Sequence, residues 1–392
     1  METLDNNICT RLGDLIKTSL APLITSDYLY IDLPYHSNIG DILIWKGTEE
    51  FLRQLPGKCL GRHSKDTFFL RPLPQDVVIL MHGGGNFGDI WREHQEFRLE
   101  IISRYPDNPI IVLPQTIHYD SEEVFAEDVR KMNLHSRLTV CARDSHSAEL
   151  LKEKGFTGHL LTLPDMAFCI NQNELQAEMA EASQESLILF REDKELKEPK
   201  LRGKYMNAAL SDWPEMQESG ARVWKFLMTH EGKESDAFFI DTFFPQKIKD
   251  GVRFVSAYKD VCSTRLHVAI LRLLLGLPVK MIDNSYGKNL NFYYSWLKDS
   301  PLVSMPNEEE QEAIDLAILI RKRELDQKTR CEKQLDEMRQ EMKLRIREQE
   351  ENIRRLQQEA DTEARKHRKY KKLFFLSMIA LAVLIILFVI KN

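Results

Sequence analysis

The chain has 392 residues, 54 basic against 60 acidic side chains and a formal net charge of −6. Hydrophobic residues make up 43%, with 17 Gly and 15 Pro, which excludes a collagenous, low-complexity or wholly disordered chain. The charge is uneven: residues 321–372 hold 18 basic and 12 acidic side chains, so the remainder is strongly acidic and offers no case for nucleic-acid binding.

The six cysteines (Cys9, Cys59, Cys141, Cys169, Cys262 and Cys331) form no CxxC pair, and no Cys/His spacing suggests a zinc site. The start, METLDNNICTRLGDLI, carries early acids and no long apolar run, so it does not read as a secretory signal. A cytosolic domain with reduced thiols is expected.

Residues 1–27 are expected to form an N-terminal helical segment. Beyond them short β-rich runs alternate with amphipathic stretches. Strands are expected at Tyr28–Leu33, Val77–Met81, Ile110–Leu113, Leu138–Cys141 and Leu160–Leu163. Further strands are expected at Ser186–Phe190, Ala237–Asp241, Arg253–Val255, Val261–Ser263 and Val279–Ile282. Helices are expected at Ile42–Leu55, Glu93–Tyr105 and Ser145–Lys154. Strand and helix in alternation predict an α/β fold of parallel sheets with crossover helices. The number of strands exceeds one comfortable sheet and predicts two Rossmann-like domains, 28–175 and 176–305. The boundary falls in the polar, acidic stretch 172–185, and 192–204 reads as a charged loop.

From residue 306 to 372 the chain is dominated by strong helix formers and reads as a charged stalk. Apolar residues recur at Leu335, Met338, Met342 and Ile346, then at Ile353, Leu356 and Ala360, in a drifting register. That pattern fits either a weak parallel homodimeric coiled coil or a single charged helix. Leu373–Ile390 carries no charge, Gly or Pro. As a helix it would reach roughly 27 Å, against a bilayer core of about 30 Å. The basic collar Arg365–Lys372 precedes it. A single-pass C-terminal membrane anchor is therefore expected, with the globular part in the cytoplasm.

Three strand ends carry candidate chemistry. His82-Gly83-Gly84-Gly85-Asn86-Phe87-Gly88-Asp89 follows the Val77–Met81 run; its glycines let backbone amides approach an anion. Asn38-Ile39-Gly40-Asp41 is a second small polar turn, in which Asp41 either serves a site or caps a helix. The two would face one crevice if their strands were neighbours. Thr264-Arg265-Leu266-His267 joins a guanidinium, which forks onto carboxylate or phosphate, to an imidazole able to move a proton near neutral pH. Arg143 reads either as a second anion clamp or as an ion pair. Asp165 reads as a base or a cap, and Lys288 as a phosphate contact or a solvated lysine.

Taken in order, these pieces resemble the polysaccharide pyruvyl transferase family. The resemblance covers about residues 28–298. It is carried by Asn38–Asp41, Gly83–Asp89, Leu113–Ile117 (which contains Gln115), Ala142–Ser145, Pro164–Phe168, 190–195, Thr264–His267 and Asp283–Lys288. It implies a GT-B-like pair of Rossmann-like domains and transfer of the enolpyruvyl unit of phosphoenolpyruvate to a glycan as a pyruvate ketal. By resemblance Arg143 and Arg265-Leu266-His267 hold the donor, and His267 handles the proton. Asp165 or Asp89 would orient or deprotonate a hydroxyl. Phosphoenolpyruvate enters as a substrate; no cofactor or metal is expected. Val268 stands where a small Gly often follows the histidine, a departure expected to narrow the pocket. Two other readings fit the same residues: a nucleotide-sugar glycosyltransferase of this fold, or a non-catalytic membrane scaffold recruiting partners through its coiled coil.

Overall fold

The computed structural model describes residues 4–189, 209–213 and 233–391. Two compact units result, Met1–Ile320 and Arg321–Asn392. The expected 192–204 loop, the 190–195 part of the resemblance and Phe190 of an expected strand lie outside the described residues.

The first unit opens with helix α1 (Leu4–Leu20), whose Ile8, Leu12, Ile16 and Leu20 recur at intervals of four and are all buried. Seven parallel strands follow: β1 (Tyr28–Ile31), β2 (Cys59–His63), β3 (Val78–Met81), β4 (Gly84–Gly88), β5 (Ile110–His118), β6 (Leu138–Ala142) and β7 (His159–Thr162). Their order is β2-β1-β3-β5-β6-β7, with β4 paired to β5. Strands β1, β3 and β6 are buried at every position and almost wholly apolar or aromatic, as helix-covered parallel strands should be. The covering helices are α2 (Ile39–Leu52), α3 (Arg92–Arg104), α4 (Glu122–Met132) and α5 (Ser145–Glu153).

After the short helix α6 (Gln172–Gln176), a second parallel sheet has the order β12-β11-β10-β8-β9. Its strands are β8 (Gln184–Leu189), β9 (Ala209–Ser211), β10 (Tyr258–Ser263), β11 (Val279–Met281) and β12 (Val303–Ser304). In each sheet the chain reverses direction around one strand pair, β1/β3 in the first and β8/β10 in the second. Such switch points open a crevice at the carboxyl ends of the strands.

Two expected strands are helical. Ala237–Asp241 runs through helix α7 (Lys233–Phe238) into a π-helical turn, Phe239–Phe243, and Arg253–Val255 lies inside helix α8 (Phe244–Ser256). Phe244, Lys247, Ile248, Gly251, Val252 and Val255 are the buried side of α8, a spacing of three and four that overrides local β-propensity. Phe239 and Phe244 pack against Tyr35 and Trp45 of the first sheet's layer.

Helix α9 (Leu266–Leu274) is buried at every position. Arg272 on this helix is fully buried and donates to the carbonyls of Val255, Tyr258, Lys259 and Pro278, tying α9 to the ends of its neighbours. A short helix α10 (Lys288–Phe292) precedes the long helix α11 (Glu308–Lys391). Met338, Met342 and Ile346, expected in a coiled-coil seam, are exposed. Among the described residues no helix is long and apolar enough to cross a membrane, so the expected single-pass anchor is not seen. Side chains on α11 are described only as far as Ala380, and the second half of the apolar run Leu373–Ile390 lies outside them.

Candidate active site

The carboxyl ends of β1, β3 and β10 meet in a cavity of about 430 Å³. A larger cleft of about 1020 Å³, lined by Trp45, Arg62 and Asp236, holds none of the expected site residues. The smaller cavity gathers most of the candidate chemistry. From the first sheet it takes Asn38, Asp41, Gly83, Gly85 and Asn86. From the second it takes Arg265, Leu266, His267 and Lys288.

Each side chain is placed by its element. Asn38 is the N-cap of α2 and accepts from the Gly40 amide, which settles the capping question: Asp41 is free of that duty and faces the cavity. Asn38 also donates to Asp41 at 2.7 Å. Burial would push the Asp41 carboxyl up, but His36, His267, His82 and Lys288 together hold it below its usual value. Gly40 is required by close approach, because a Cβ there would lie 2.4 Å from His267 Nδ1. Gly85 leaves room for Lys288, whose ammonium would sit 2.6 Å from a Cβ and would have to move. The Gly-rich stretch is not a plain strand-to-helix turn. Gly84–Gly88 forms β4 beside β5, and α3 starts only at Arg92.

Arg265 is the N-cap residue of α9 and holds Asp212 through Nε and Nη2, both at 2.5 Å. His267, the second residue of the helix, places its Nε2 3.1 Å from Asp165 Oδ2. Asp165 caps the turn Met166–Cys169 by accepting from the Ala167 amide. Burial alone would raise the Asp165 carboxyl; His267 and Arg143 outweigh it and hold the carboxyl well below the usual carboxylate range.

Six expected site residues stand behind the cavity wall or away from it. Arg143 is fully buried, donating to Asp165 at 2.8 Å and to Thr116 twice. It therefore pairs with Asp165 behind the wall rather than lying on the surface. Asp165, 1% exposed, orients His267 and is enclosed away from any hydroxyl. Gln115 is buried and donates to Asn86 and to the His82 carbonyl, bracing the loop. Gly40 and Gly84 support the wall from behind. Asp89 accepts from the Asp120 and Ser121 amides, a turn contact remote from the chemistry. Val268 is fully buried in the core and does not narrow the cavity.

Sequence reasoning missed Asp32, His36, His94, Trp91 and Trp213, all of which line the cavity, and left His82 without a role. Asp32 was discoverable as an acid at the carboxyl end of β1, directly before Leu33-Pro34. His94 bonds it through Nδ1 at 2.8 Å. Burial lowers the His94 basicity, but Asp32 more than restores it, leaving the imidazole pKa above its ordinary value. Among the described residues no cluster of His, Cys, Asp and Glu suits a metal ion.

The fold and the cavity define an α/β protein with two parallel sheets, a hydrogen-bonded imidazole and cationic groups at one crevice. A family model for polysaccharide pyruvyl transferase matches residues 38–286. The chain is 30% identical over 285 residues to EpsO of Bacillus subtilis (strain 168), a protein assigned as a pyruvyl transferase; the match covers 70% of this chain and 87% of EpsO. It is 25% identical over 282 residues to pyruvyl transferase 1 of Schizosaccharomyces pombe, covering 68% of this chain and 69% of that protein. An uncharacterised protein from Klebsiella pneumoniae shares the fold alone, with a TM-score of 0.51 at 20% identity over 77% of this chain and 99% of its own. The chain belongs to the polysaccharide pyruvyl transferase family and is an enzyme of that class.

Proposed function

We propose that the cavity transfers the enolpyruvyl unit of phosphoenolpyruvate to two hydroxyls of a glycan, giving a cyclic pyruvate ketal and phosphate. The observation that carries this is His267, its Nε2 paired with the buried Asp165, lining a cavity that also holds Arg265 and Lys288. A dianionic enol ester needs cationic contacts for its carboxylate and phosphate, and Arg265 and Lys288 offer them. The volume lies within the ~300–1,000 Å³ usual for small-molecule sites.

The chemistry follows from the donor. C2 of an enol ester becomes electrophilic when C3 takes a proton. His267 delivers that proton, a contribution of roughly 10²–10⁴-fold for a well-placed acid. A first hydroxyl adds to C2, a second displaces phosphate, and its proton leaves with the phosphate. One hydroxyl proton thus ends on the methyl group and one on phosphate. The two sheets act as GT-B-like halves. Dimerisation through α11 and a membrane tether at Leu373–Ile390 belong to the same proposal and rest on the sequence.

The test is phosphate release from phosphoenolpyruvate by purified protein offered methyl glycosides of galactose, glucose and N-acetylmannosamine. Glycoside-dependent release that is lost in His267→Ala supports the reading. Release that ignores the glycoside, or that survives the substitution, overturns it. Thermal stabilisation by a nucleotide sugar but not by phosphoenolpyruvate would favour glycosyl transfer instead. Carbonate extraction of cell membranes tests the tether: protein released into the supernatant refutes it.

A further inference from the structure

Two buried polar atoms without a hydrogen-bond partner sit on the cavity's first-sheet wall: Asp32 Oδ2 and His82 Nε2. They belong to the ends of neighbouring strands. β1 and β3 pair in register, and the His82 amide donates to the Ile31 carbonyl, one residue before Asp32. Asp32 is 1% and His82 2% exposed, so bulk water reaches neither side chain freely. A buried polar group left unpaired costs about 1–3 kcal/mol, so two on one wall of a crevice whose other side adds Trp213 Nε1 call for a reason.

The wall is built to keep them there. Asp32 has φ 64°, the one positive value among the described non-glycine residues. Asp tolerates this left-handed conformation better than most residues, yet it remains strained. Asp32 Oδ1 is held by His94 Nδ1, and Oδ2 forms an ion pair with Arg98 at 3.8 Å, beyond hydrogen-bond reach. Arg98 itself is committed to Gln95 and Asn86. His82 Nδ1 lies 2.6 Å from the Tyr30 hydroxyl. A phenol is a good donor and a poor acceptor, and an imidazole nitrogen is the reverse. We assign Tyr30 as the donor to Nδ1, which places the ring proton on Nε2. Burial pushes the imidazole down to about 4, so at neutral pH His82 is an uncharged donor.

One orphan is thus an acceptor and the other a donor. A group that both donates and accepts satisfies the pair; a phosphate or carboxylate oxygen does not, because it would face Asp32 with like charge. We propose that Asp32 Oδ2 and His82 Nε2 together seat a hydroxyl of the glycan acceptor, which donates to Asp32 and accepts from His82. This deepens the pyruvyl-transfer reading and rests on it. Donor and acceptor then occupy different walls: the enol ester at Arg265 and Lys288, the sugar at the β1/β3 crevice. Asp32 and His82 are recognition residues here, and His94 positions Asp32.

The test compares wild type with Asp32→Asn, His82→Phe and His82→Gln on whichever methyl glycoside of the panel above the wild type turns over. Asparagine tolerates the left-handed backbone and can still accept from His94, but it turns an amide toward the seat, leaving the hydroxyl proton without an acceptor. Loss of a hydrogen bond to a charged group corresponds to roughly 10–100-fold in affinity. The glycoside KM should rise by about that factor in Asp32→Asn and His82→Phe, while phosphoenolpyruvate affinity by calorimetry stays within about twofold. His82→Gln, which carries an amide donor near the Nε2 position, should recover part of the loss. Ring ¹⁵N shifts should show the Nε2–H tautomer of His82 in the wild type.

Equal loss for donor and glycoside, or no change in either, means a structural water only and overturns the seat. So does an Nδ1–H tautomer. Absence of turnover by the wild type on every glycoside, or absence of phosphoenolpyruvate binding, overturns the pyruvyl-transfer reading itself and the seat with it.

Discussion

Asp165 Oδ2 receives both His267 Nε2, at 3.1 Å, and Arg143 Nη1, at 2.8 Å. Because this carboxylate is held ionised, it can only accept, so the His267 proton on Nε2 is fixed in place. The exchangeable position is Nδ1, packed against Gly40 at the start of α2. Asp165→Asn keeps the shape but removes the charge that supports the imidazolium and the cue that selects its tautomer. The expected outcome is a kcat lower by roughly 10²–10⁴-fold with little change in phosphoenolpyruvate KM, read by phosphate release across pH. An unchanged pH profile with a raised KM would show that Asp165 acts in binding instead.

Arg143 offers a separate test of the same contact. It is fully buried, and breaking a buried ion pair from one side costs about 3–5 kcal/mol because the remaining charge is stranded. Arg143→Met should therefore lower the melting temperature sharply. The double variant Arg143→Met/Asp165→Asn removes both charges and should regain much of that stability while staying inactive. If the double variant is no more stable than Arg143→Met, the pair is not what holds this corner of the fold.

The sequence conveyed the crevice better than its individual roles. Asn38–Asp41, Gly83–Asn86 and Arg265–His267 were legible because each follows an apolar run and needs small or charged residues at a strand end. The meeting of the first two follows from parallel pairing of β1 with β3, whereas Arg265–His267 arrives from β10 of the other sheet. Burial was not legible. An arginine after a strand looks alike whether it faces solvent or, like Arg143, a hidden carboxylate. Asp32 and His94 belong to no motif, and their pairing joins positions 62 residues apart. The misread strands at 237–241 and 253–255 have another cause. Aromatic and β-branched residues there match strand composition, and only the buried spacing along α8 shows that a helix claims them.

Gly85 makes the donor contact testable without touching a charge. A methyl group there would lie 2.6 Å from Lys288 Nζ and displace it. Lys288 is anchored at its backbone, where Asn284 accepts from its amide, so only the side chain can yield. Gly85→Ala should raise the phosphoenolpyruvate KM by about tenfold, in line with the roughly 1.5 kcal/mol lower bound for a charged hydrogen bond, and should change the glycoside KM little. Lys288→Ala should give the same split. A glycoside defect alone would move Lys288 to the acceptor side.

His82 gives the fold a predictable acid sensitivity. Its imidazole ionises near 6.5 when unfolded but is pushed down to about 4 by burial in the native chain. Between those values the unfolded chain binds a proton that the folded chain refuses. Stability is therefore complete above about pH 6.5 and falls as pH drops toward 4, by on the order of 3 kcal/mol for this one group. His94 is raised by Asp32 and offsets part of the loss. Melting temperature followed from pH 7.5 to 4 should fall through this window, and His82→Gln should flatten the fall. If the variant shows the same slope as the wild type, His82 is charged or hydrated in the native state, and the neutral donor assigned to the cavity wall is lost.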